Sequence, residues 1–329
     1  MRPFTYERAV DADAAVASGV AHAGNGGVRY LGGGTNLVDL MRLGVERPAH
    51  LIDVSRLGHD RIEPTDDGGL HIGAAVTNSE LAADGLVRRD HPLLAEALLN
   101  GASGQLRNLA TVGGNLLQRT RCSYFQEATK PCNKRTPGTG CPAREGEHRN
   151  LAILGHSPSC VATHPSDMAV ALTAIGARVH VRGHEGERVI PMPGLHRLPE
   201  REPECDTVLE PTELITAVTL PAPGPGLRAR YRKVRERSSF AFALVSVAAL
   251  LTVEDGIVRD CRIALGGVAH APWRAERGEG ELRGAPATPE AFARAADAEL
   301  AQAEPLRDNG YKVALARNLI VATLSELGA

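Results

Sequence analysis

Short apolar runs and alanine-rich stretches alternate along the first hundred residues. The alternation predicts a helix over 11–23 and strands over 28–31 and 50–54, with a glycine turn and a short helix between the two strands. A further strand and two helices are predicted at 70–74, 79–83 and 92–100. Strands that alternate with helices in this way indicate a small α/β unit.

Regular patterning is lost between about 118 and 164 and returns beyond that segment. A helix over 165–175 and strands over 177–181 and 214–220 lead to a linker rich in proline and glycine at 221–226. Three strands and two helices are then predicted at 228–234, 245–253, 258–265, 289–303 and 311–327.

A chain of 329 residues is long enough for two or three domains. The pattern places the parts at 1–55, 56–222 and 223–329, with an irregular insertion at about 118–164 in the second part. A loop of that length needs something to organise it, and the sequence shows no core of its own for the insertion. The overall prediction is an α+β chain.

The charge balance argues against two classes of partner. Lys and Arg number 37 and Asp and Glu number 39, a formal charge of −2, so no basic excess favours nucleic acid or an anionic membrane surface. The longest nearly apolar run, 240–251, is too short to span a bilayer, and the first residues lack the apolar stretch of a secretory signal. We expect no membrane insertion. The expected location is the cytoplasm, or the periplasm if a partner with a twin-arginine signal carries the folded complex across.

Two glycine-rich segments could hold a phosphate group. Gly32-Gly33-Gly34-Thr35-Asn36 lies between a predicted strand and a predicted helix, where backbone amides can bind an anion. It has neither the P-loop pattern nor the spacing of a Rossmann turn, and alone it is more typical of a tight turn. A similar segment at 111–116 favours a pair of loops that clamp a dinucleotide. Asp167 is expected to cap the following helix, and alternatively to bind a ribose.

These motifs together resemble the flavin subunits of xanthine dehydrogenase-like molybdenum hydroxylases. The resemblance runs over the whole chain in the same order and includes Gly266-Gly267 in the C-terminal part. It implies a two-subdomain FAD-binding fold of the vanillyl-alcohol-oxidase (PCMH) type, followed by a small α+β domain of a sheet and helices. The residues that it implies for FAD are Leu31, Gly32, Gly33, Gly34, Thr35, Asn36, Leu37, Arg107, Asn108, Thr111, Gly113, Gly114, Asn115, Asp167, Lys233 and Phe240.

The insertion is where this sequence departs from the usual family pattern. It holds four cysteines with the spacing C-x9-C-x8-C-x18-C, which are Cys122, Cys132, Cys141 and Cys160. The spacing matches neither a zinc knuckle nor the ferredoxin patterns, so two disulfides or a zinc ion stay open as alternatives. A branch of the family that includes bacterial aldehyde oxidoreductases carries an extra [4Fe–4S] cluster, and the resemblance therefore implies that these four thiols bind one. Nearby Arg and Lys side chains would offset the negative charge of the thiolates and the cluster. Alternatively, they are solvated loop charges.

The sequence contains no paired histidine metal motif and no nucleophile motif, so no catalytic residue is predicted in this chain. The resemblance implies an electron-transfer subunit in a heterotrimer, or a dimer of heterotrimers. A large subunit would hold the molybdenum cofactor, a small subunit would hold [2Fe–2S] clusters, and an external acceptor would take the electrons from FAD. Two alternatives are a stand-alone flavoprotein oxidase of the same fold and a zinc-stapled scaffold without enzymatic activity.

Overall fold

In the computed structural model, which describes residues 1–24 and 26–329, the strands form three sheets. The first sheet is parallel, with the strand order β1-β3-β2. Asp11 caps the first helix by accepting from the amide of Ala14 at 2.7 Å. The elements of this unit are β1 (Thr5–Arg8), α1 (Ala12–His22), β2 (Val28–Leu31), α2 (Leu37–Arg42) and β3 (His50–Asp53).

The second sheet is antiparallel and has five strands in the order β4-β5-β8-β6-β7. Its elements are β4 (Ile62–Pro64), β5 (Leu70–Gly73), α3 (Asn78–Ala83), α4 (Gly85–Asp90), α5 (Pro92–Asn100), α6 (Gly104–Arg107), α7 (Val112–Leu116), α8 (Ser123–Gln126), a 3-10 turn (Pro142–Arg144), α9 (Asp167–Ile175), β6 (Arg178–Gly183), β7 (Gly186–Pro191) and β8 (Leu214–Leu220).

The third sheet is an antiparallel meander with the order β12-β11-β10-β9. Asp255 and Gly256, both with positive φ, make the tight turn between β10 and β11. The elements are β9 (Arg228–Val234), β10 (Val245–Glu254), β11 (Ile257–Gly266), β12 (Trp273–Arg274), α10 (Glu276–Leu282), α11 (Pro289–Leu300) and α12 (Tyr311–Gly328).

Strand β10 is buried on both faces and joins the second and third units. Its odd-numbered residues, such as Val247 and Leu251, face α12, whereas Ala248 and Leu250 face α9. Helix α9 is buried along its whole length because it is apolar on every side, and Gly176 ends it in a left-handed conformation. This packing brings β9 against the start of α9.

The mixed α+β architecture is confirmed, and the predicted long elements are present. The sequence pattern missed β1, β4 and β7, which are edge strands with mostly exposed or half-buried side chains. Such strands lack the apolar run that signals a buried strand. The insertion contains little regular structure, as predicted.

The expectation that the insertion has no core of its own is wrong. Phe125 is fully buried in a small apolar cluster with Leu151, Val161 and Ala162. The C-terminal part also fixes the insertion, since the amide nitrogen Nδ2 of Asn309 donates to the carbonyl of Ala152 at 3.0 Å. The insertion is therefore organised by packing as well as by any cofactor.

Candidate cofactor sites

A cleft of about 800 Å³ lies where the three units meet, within the size range of cofactor pockets. Residues from the start of α2, the ends of α5 and α6, the start of α9 and the loop before β10 line it. The predicted cofactor residues that line the cleft are Gly34, Thr35, Asn36, Arg107, Gly114, Asn115, Asp167, Lys233 and Phe240.

The first glycine-rich segment packs against the second one, and against Leu109 just before it, at the edge of the cleft. A Cβ atom at Gly33 would lie 1.7 Å from the carbonyl oxygen of Leu109, and one at Gly32 would lie 2.9 Å from the hydroxyl of Thr111. Thr111 caps α7 by accepting from the amide of Gly114 at 3.2 Å. Gly32 and Gly33 thus permit the close approach of the two segments, and Gly34 and Gly114 face the cleft.

The other predicted residues lie behind the cleft wall. Asn108 accepts a hydrogen bond from the hydroxyl of Ser79 at 2.6 Å. A Cβ atom at Gly113 would lie 3.2 Å from that of Ala74, so this glycine packs against the end of β5. Leu31 and Leu37 flank the first glycine segment and are not among the lining residues of the cleft.

Two residues that line the cleft each carry a buried polar atom without a partner among the described residues. The carbonyl oxygen Oδ1 of Asn36 accepts from the backbone amide of Arg119 at 2.9 Å, which leaves Nδ2 of Asn36 buried and unpaired within the described residues. Oδ1 of Asn78 is likewise buried and unpaired. Buried polar atoms normally have partners, so these two indicate that a polar ligand completes the cleft.

Asp167 does not cap α9, contrary to the sequence-based expectation. Ser166 is the cap and accepts from the amide of Ala169 at 2.9 Å. The Asp167 carboxylate instead accepts from the ammonium of Lys233 at 2.7 Å and from the hydroxyl of Tyr231 at 2.5 Å. Burial and then the Asp167 charge raise the pKa of Tyr231 well above its usual value. The result is a buried ion pair in the cleft wall.

Positive charge exceeds negative charge along the cleft, which suits an anionic ligand. The cationic residues are Arg42, Arg107, Arg121, Lys233 and Arg237, and the acidic ones are Asp39, Asp167 and Glu236. Burial lowers the pKa of Arg121, whose nearest acid, Asp39, is 3.7 Å away. The Arg121 guanidinium lies over the ring of Phe242 at 5.0 Å.

Sequence reasoning assigned the segment near Phe240, which holds Arg237 and Phe242, to the site, but it missed Arg42 and Asn78 as lining residues of the cleft. Neither of these two belongs to a glycine motif. Only the tertiary packing brings them to the cleft, so no local signal identifies them.

The four cysteines of the insertion line one small cavity. None of the chain's six cysteines, all of which the structure describes, forms a disulfide. Cys122 and Cys160 are buried, whereas Cys132 and Cys141 are half-buried. Burial raises the pKa of the Cys160 thiol to about 12, and it also raises the pKa of Cys122 and Cys141. These thiols would need a cation to ionise.

A buried cation stands beside the thiols. Lys134 lines the cysteine cavity, is 2% exposed, and forms an ion pair with Asp206. Arg119 also binds Asp206, at 2.8 Å, and Glu46, at 2.6 Å. Although burial alone would raise the pKa of Asp206, the two cations hold it well below its usual value. These two charges of the insertion are therefore paired rather than solvated.

Within residues 1–24 and 26–329, no group of three or more His, Cys, Asp or Glu side chains is placed to hold a single metal ion. In the same residues, no helix combines the length and apolar character needed to cross a membrane.

Two family models match the chain and together span nearly all of it. The FAD binding domain in molybdopterin dehydrogenase matches residues 2–223, and the CO dehydrogenase flavoprotein C-terminal domain matches residues 229–327.

Individual relatives agree with these matches. The chain is 50% identical to the aldehyde oxidoreductase FAD-binding subunit PaoB of Escherichia coli, over 100% of this chain and 99% of the relative. It is 28% identical to the carbon monoxide dehydrogenase medium chain of Hydrogenophaga pseudoflava, over 90% of this chain and 88% of the relative. A solved structure of carbon monoxide dehydrogenase from H. pseudoflava has a TM-score of 0.77, covering 98% of this chain and 96% of that one. The chain belongs to the FAD-binding subunits of the molybdopterin dehydrogenases, which are oxidoreductases of the molybdenum hydroxylase family.

Proposed function

We propose that this chain is the electron-transfer subunit of a molybdenum-dependent aldehyde oxidoreductase and carries both FAD and a [4Fe–4S] cluster. The observation that carries the proposal is the 50% identity, along the whole chain, to the FAD-binding subunit of an aldehyde oxidoreductase. Partner subunits with the molybdenum cofactor and [2Fe–2S] clusters would oxidise the aldehyde. The chemistry that bound FAD supplies is to accept their electrons and release them to an external acceptor.

The residues of the cleft fit FAD. Gly34 and Gly114 present backbone without side chains, which lets a diphosphate approach closely. Arg107 and Arg121 would offset the phosphate charge, and the unpaired Nδ2 of Asn36 would donate to a cofactor oxygen. Gly32, Gly33, Thr111 and Gly113 would support the site from behind.

The proposal of a [4Fe–4S] cluster is supported by the four thiols, which are the number of cysteine ligands that such a cluster takes. Such a cluster takes four cysteine ligands spread around a cubane, whereas one zinc ion draws its sulfur ligands to about 2.3 Å. All four cysteines of the insertion line one cavity, as ligands of a single cluster must. The cavity holds only about 10 Å³, so we expect the insertion to widen as it takes up the cluster.

The proposal is tested on the complex purified with its partner subunits. Flavin, iron and zinc are quantified in the native complex and in two variants, Cys132→Ser and Cys205→Ser. Cys132 lines the cavity, whereas Cys205 is a half-buried thiol outside it and serves as the matched control. The first variant should lose about four iron atoms per copy of this chain and keep its flavin, and the second should keep both.

Three outcomes would contradict the proposal. Full iron retention in Cys132→Ser would overturn the ligand assignment, and zinc in place of iron would favour a zinc staple. Aldehyde oxidation by the purified chain without partners would favour a stand-alone flavoprotein oxidase.

A further inference from the structure

One charged side chain stands in the wall of the cysteine cavity. Besides the four thiols, the described residues that line this cavity are apolar or neutral apart from Lys134, and none of them is Asp or Glu. Lys134 is buried, so water screens its charge little. Its ammonium donates to Asp206 and, at 2.6 Å, to the carbonyl of Pro203, and neither of these residues lines the cavity. The ion pair therefore has its positive member on the side of the thiols.

The Lys134 charge reaches the thiols despite this pairing. Burial raises the pKa of the Cys160 thiol to about 12, and the Lys134 ammonium is the largest of the effects that lower it. Nδ2 of Asn133 also donates to the carbonyl of Ser159 at 3.0 Å, which fastens the backbone beside Lys134 to the backbone beside Cys160. The fold therefore holds the cation close to this thiol.

The network around Lys134 has an excess of positive charge. Arg119 shares the Asp206 carboxylate with Lys134, at 2.8 Å, and also pairs with Glu46 at 2.6 Å. Glu46 pairs in turn with Arg29 at 3.3 Å. Three cations thus share two carboxylates, so Asp206 balances only part of the Lys134 charge.

This charge bears on electron uptake at the cavity. A cluster held by four thiolates makes the site anionic, and its reduction by one electron adds a further negative charge. A nearby cation stabilises the more negative state, and it does so more strongly in a buried site than in water. The reduction potential of an iron–sulfur cluster accordingly depends on the net charge around it.

We propose that Lys134 raises the reduction potential of the [4Fe–4S] cluster at the cysteine cavity, and that Asp206 limits this effect by pairing with Lys134. The inference rests on the proposed binding of that cluster by the four thiols. Lys134 supplies no ligand, because an ammonium has no lone pair, so its role is electrostatic. The higher potential makes the cluster a better acceptor for one electron from the flavin or from the [2Fe–2S] clusters of the partner subunits.

The proposal is tested by potentiometric titration of the purified complex. The cluster is followed by its electron paramagnetic resonance signal, which is identified as the signal missing from Cys132→Ser. Lys134→Met keeps the length of the side chain but removes its charge. We expect the ratio of reduced to oxidised cluster at a fixed potential to fall about tenfold, which is a shift of about 59 mV to lower potential for one electron.

Two further variants serve as matched controls. Lys134→Arg keeps the charge and should restore most of the native potential. Lys130→Met removes an exposed lysine of the same insertion, one that does not line the cavity, and should leave the potential unchanged. An equal shift in Lys130→Met and Lys134→Met would overturn the specific role of the buried lysine.

Asp206→Asn should move the potential in the opposite direction. It removes the acid but leaves Lys134 beside the thiolates, so the potential should rise. This variant also decides the question if Lys134→Met assembles no cluster. An unchanged potential in both variants, in complexes that keep the iron of the cluster, would overturn the proposal. Loss of that iron from both variants, in folded protein that keeps its flavin, would overturn it too, because the ion pair would then be purely structural.

Iron content separates failure of this inference from failure of the proposed function. If Cys132→Ser keeps all the iron of the native complex, the cysteines bind no cluster and the proposed function fails. If Cys132→Ser loses iron while the charge variants leave the potential unchanged, only the electrostatic role of Lys134 fails.

Discussion

The close packing of Gly33 against Leu109, just before the second glycine segment, makes Gly33 the position behind the cleft wall that is most sensitive to substitution. A Cβ atom at Gly33 would lie 1.7 Å from the oxygen and 2.6 Å from the carbon of the Leu109 carbonyl, whereas real Cβ contacts stay at 3.0 Å or more. In Gly33→Ala the segments must therefore separate by at least 3.0 − 1.7 = 1.3 Å. Both contacting groups are backbone, so no flexible side chain can yield.

Forced separations of this kind cost about 1–3 kcal/mol. Gly34 and Gly114 of the same two segments line the cleft, so the separation should also widen the cleft. If the full cost appears in binding, the dissociation constant for FAD rises about 5- to 150-fold. We expect both a less stable apoprotein and weaker FAD binding in Gly33→Ala.

The measurements are denaturant unfolding of the apoprotein and titration with FAD followed by flavin fluorescence. Gly104→Ala is the control, because a Cβ atom there meets nothing within 4 Å. The control should stay within about 1 kcal/mol of the native protein in both measurements. Equal FAD affinity and equal unfolding free energy in the two variants would refute the argument that the segments must touch.

Two further substitutions test buried charges. Asp167→Asn removes the partner of Lys233, whose side chain is 1% exposed, and should lower the unfolding free energy by about 3–5 kcal/mol. The control Asp297→Asn, at a half-exposed ion pair, should lower it by less than about 1 kcal/mol. Equal losses in the two variants would contradict the buried pair. Burial lowers the pKa of Lys312 to about 7. Above that pH the folded state binds fewer protons than the unfolded state, in which a lysine titrates near about 10.4. The unfolding free energy should therefore rise by about 1.4 kcal/mol per pH unit between about pH 7 and 10.4. Lys312→Met should remove this slope in denaturant unfolding measured across that range, and an unchanged slope would show that the lysine stays charged.

The sequence predicted those parts of the fold that depend on local patterns. Buried strands such as β10 carry an apolar run, and α9 is apolar on every side, so both are visible in the sequence. The edge strand β7 pairs by its backbone and exposes its side chains, which leaves no apolar signal. The helix cap was misplaced by one residue because Ser166 and Asp167 both favour that position.

The site was predictable only as far as its motifs reach. Gly34 and Asn36 belong to a recognisable glycine-rich segment, and both line the cleft. Lys233, which also lines the cleft, was identified through the resemblance to the family. Arg42 and Asn78 belong to ordinary helices and reach the cleft through tertiary packing, which a local pattern does not encode. The roles within a motif also depend on packing, since Gly33 contacts Leu109 whereas its neighbour Gly34 faces the cleft.

The insertion and the cleft are parts of one structure, which bears on the role of the proposed cluster. Cys122 lines both the cysteine cavity and the large cleft, and Leu151 of the insertion lines the cleft while its carbonyl accepts from Lys312 at 2.9 Å. A cluster held there would therefore lie against the cleft wall, a position that suits electron transfer to a cofactor in the cleft, whereas the Cys122 side chain is itself part of that wall. Cys132 lines the cysteine cavity but not the large cleft. We accordingly expect Cys122→Ser to lower both the iron content and the FAD content, whereas Cys132→Ser should lower the iron content and spare FAD. Equal FAD loss in both variants would show that the cluster, rather than the Cys122 side chain, supports the cleft.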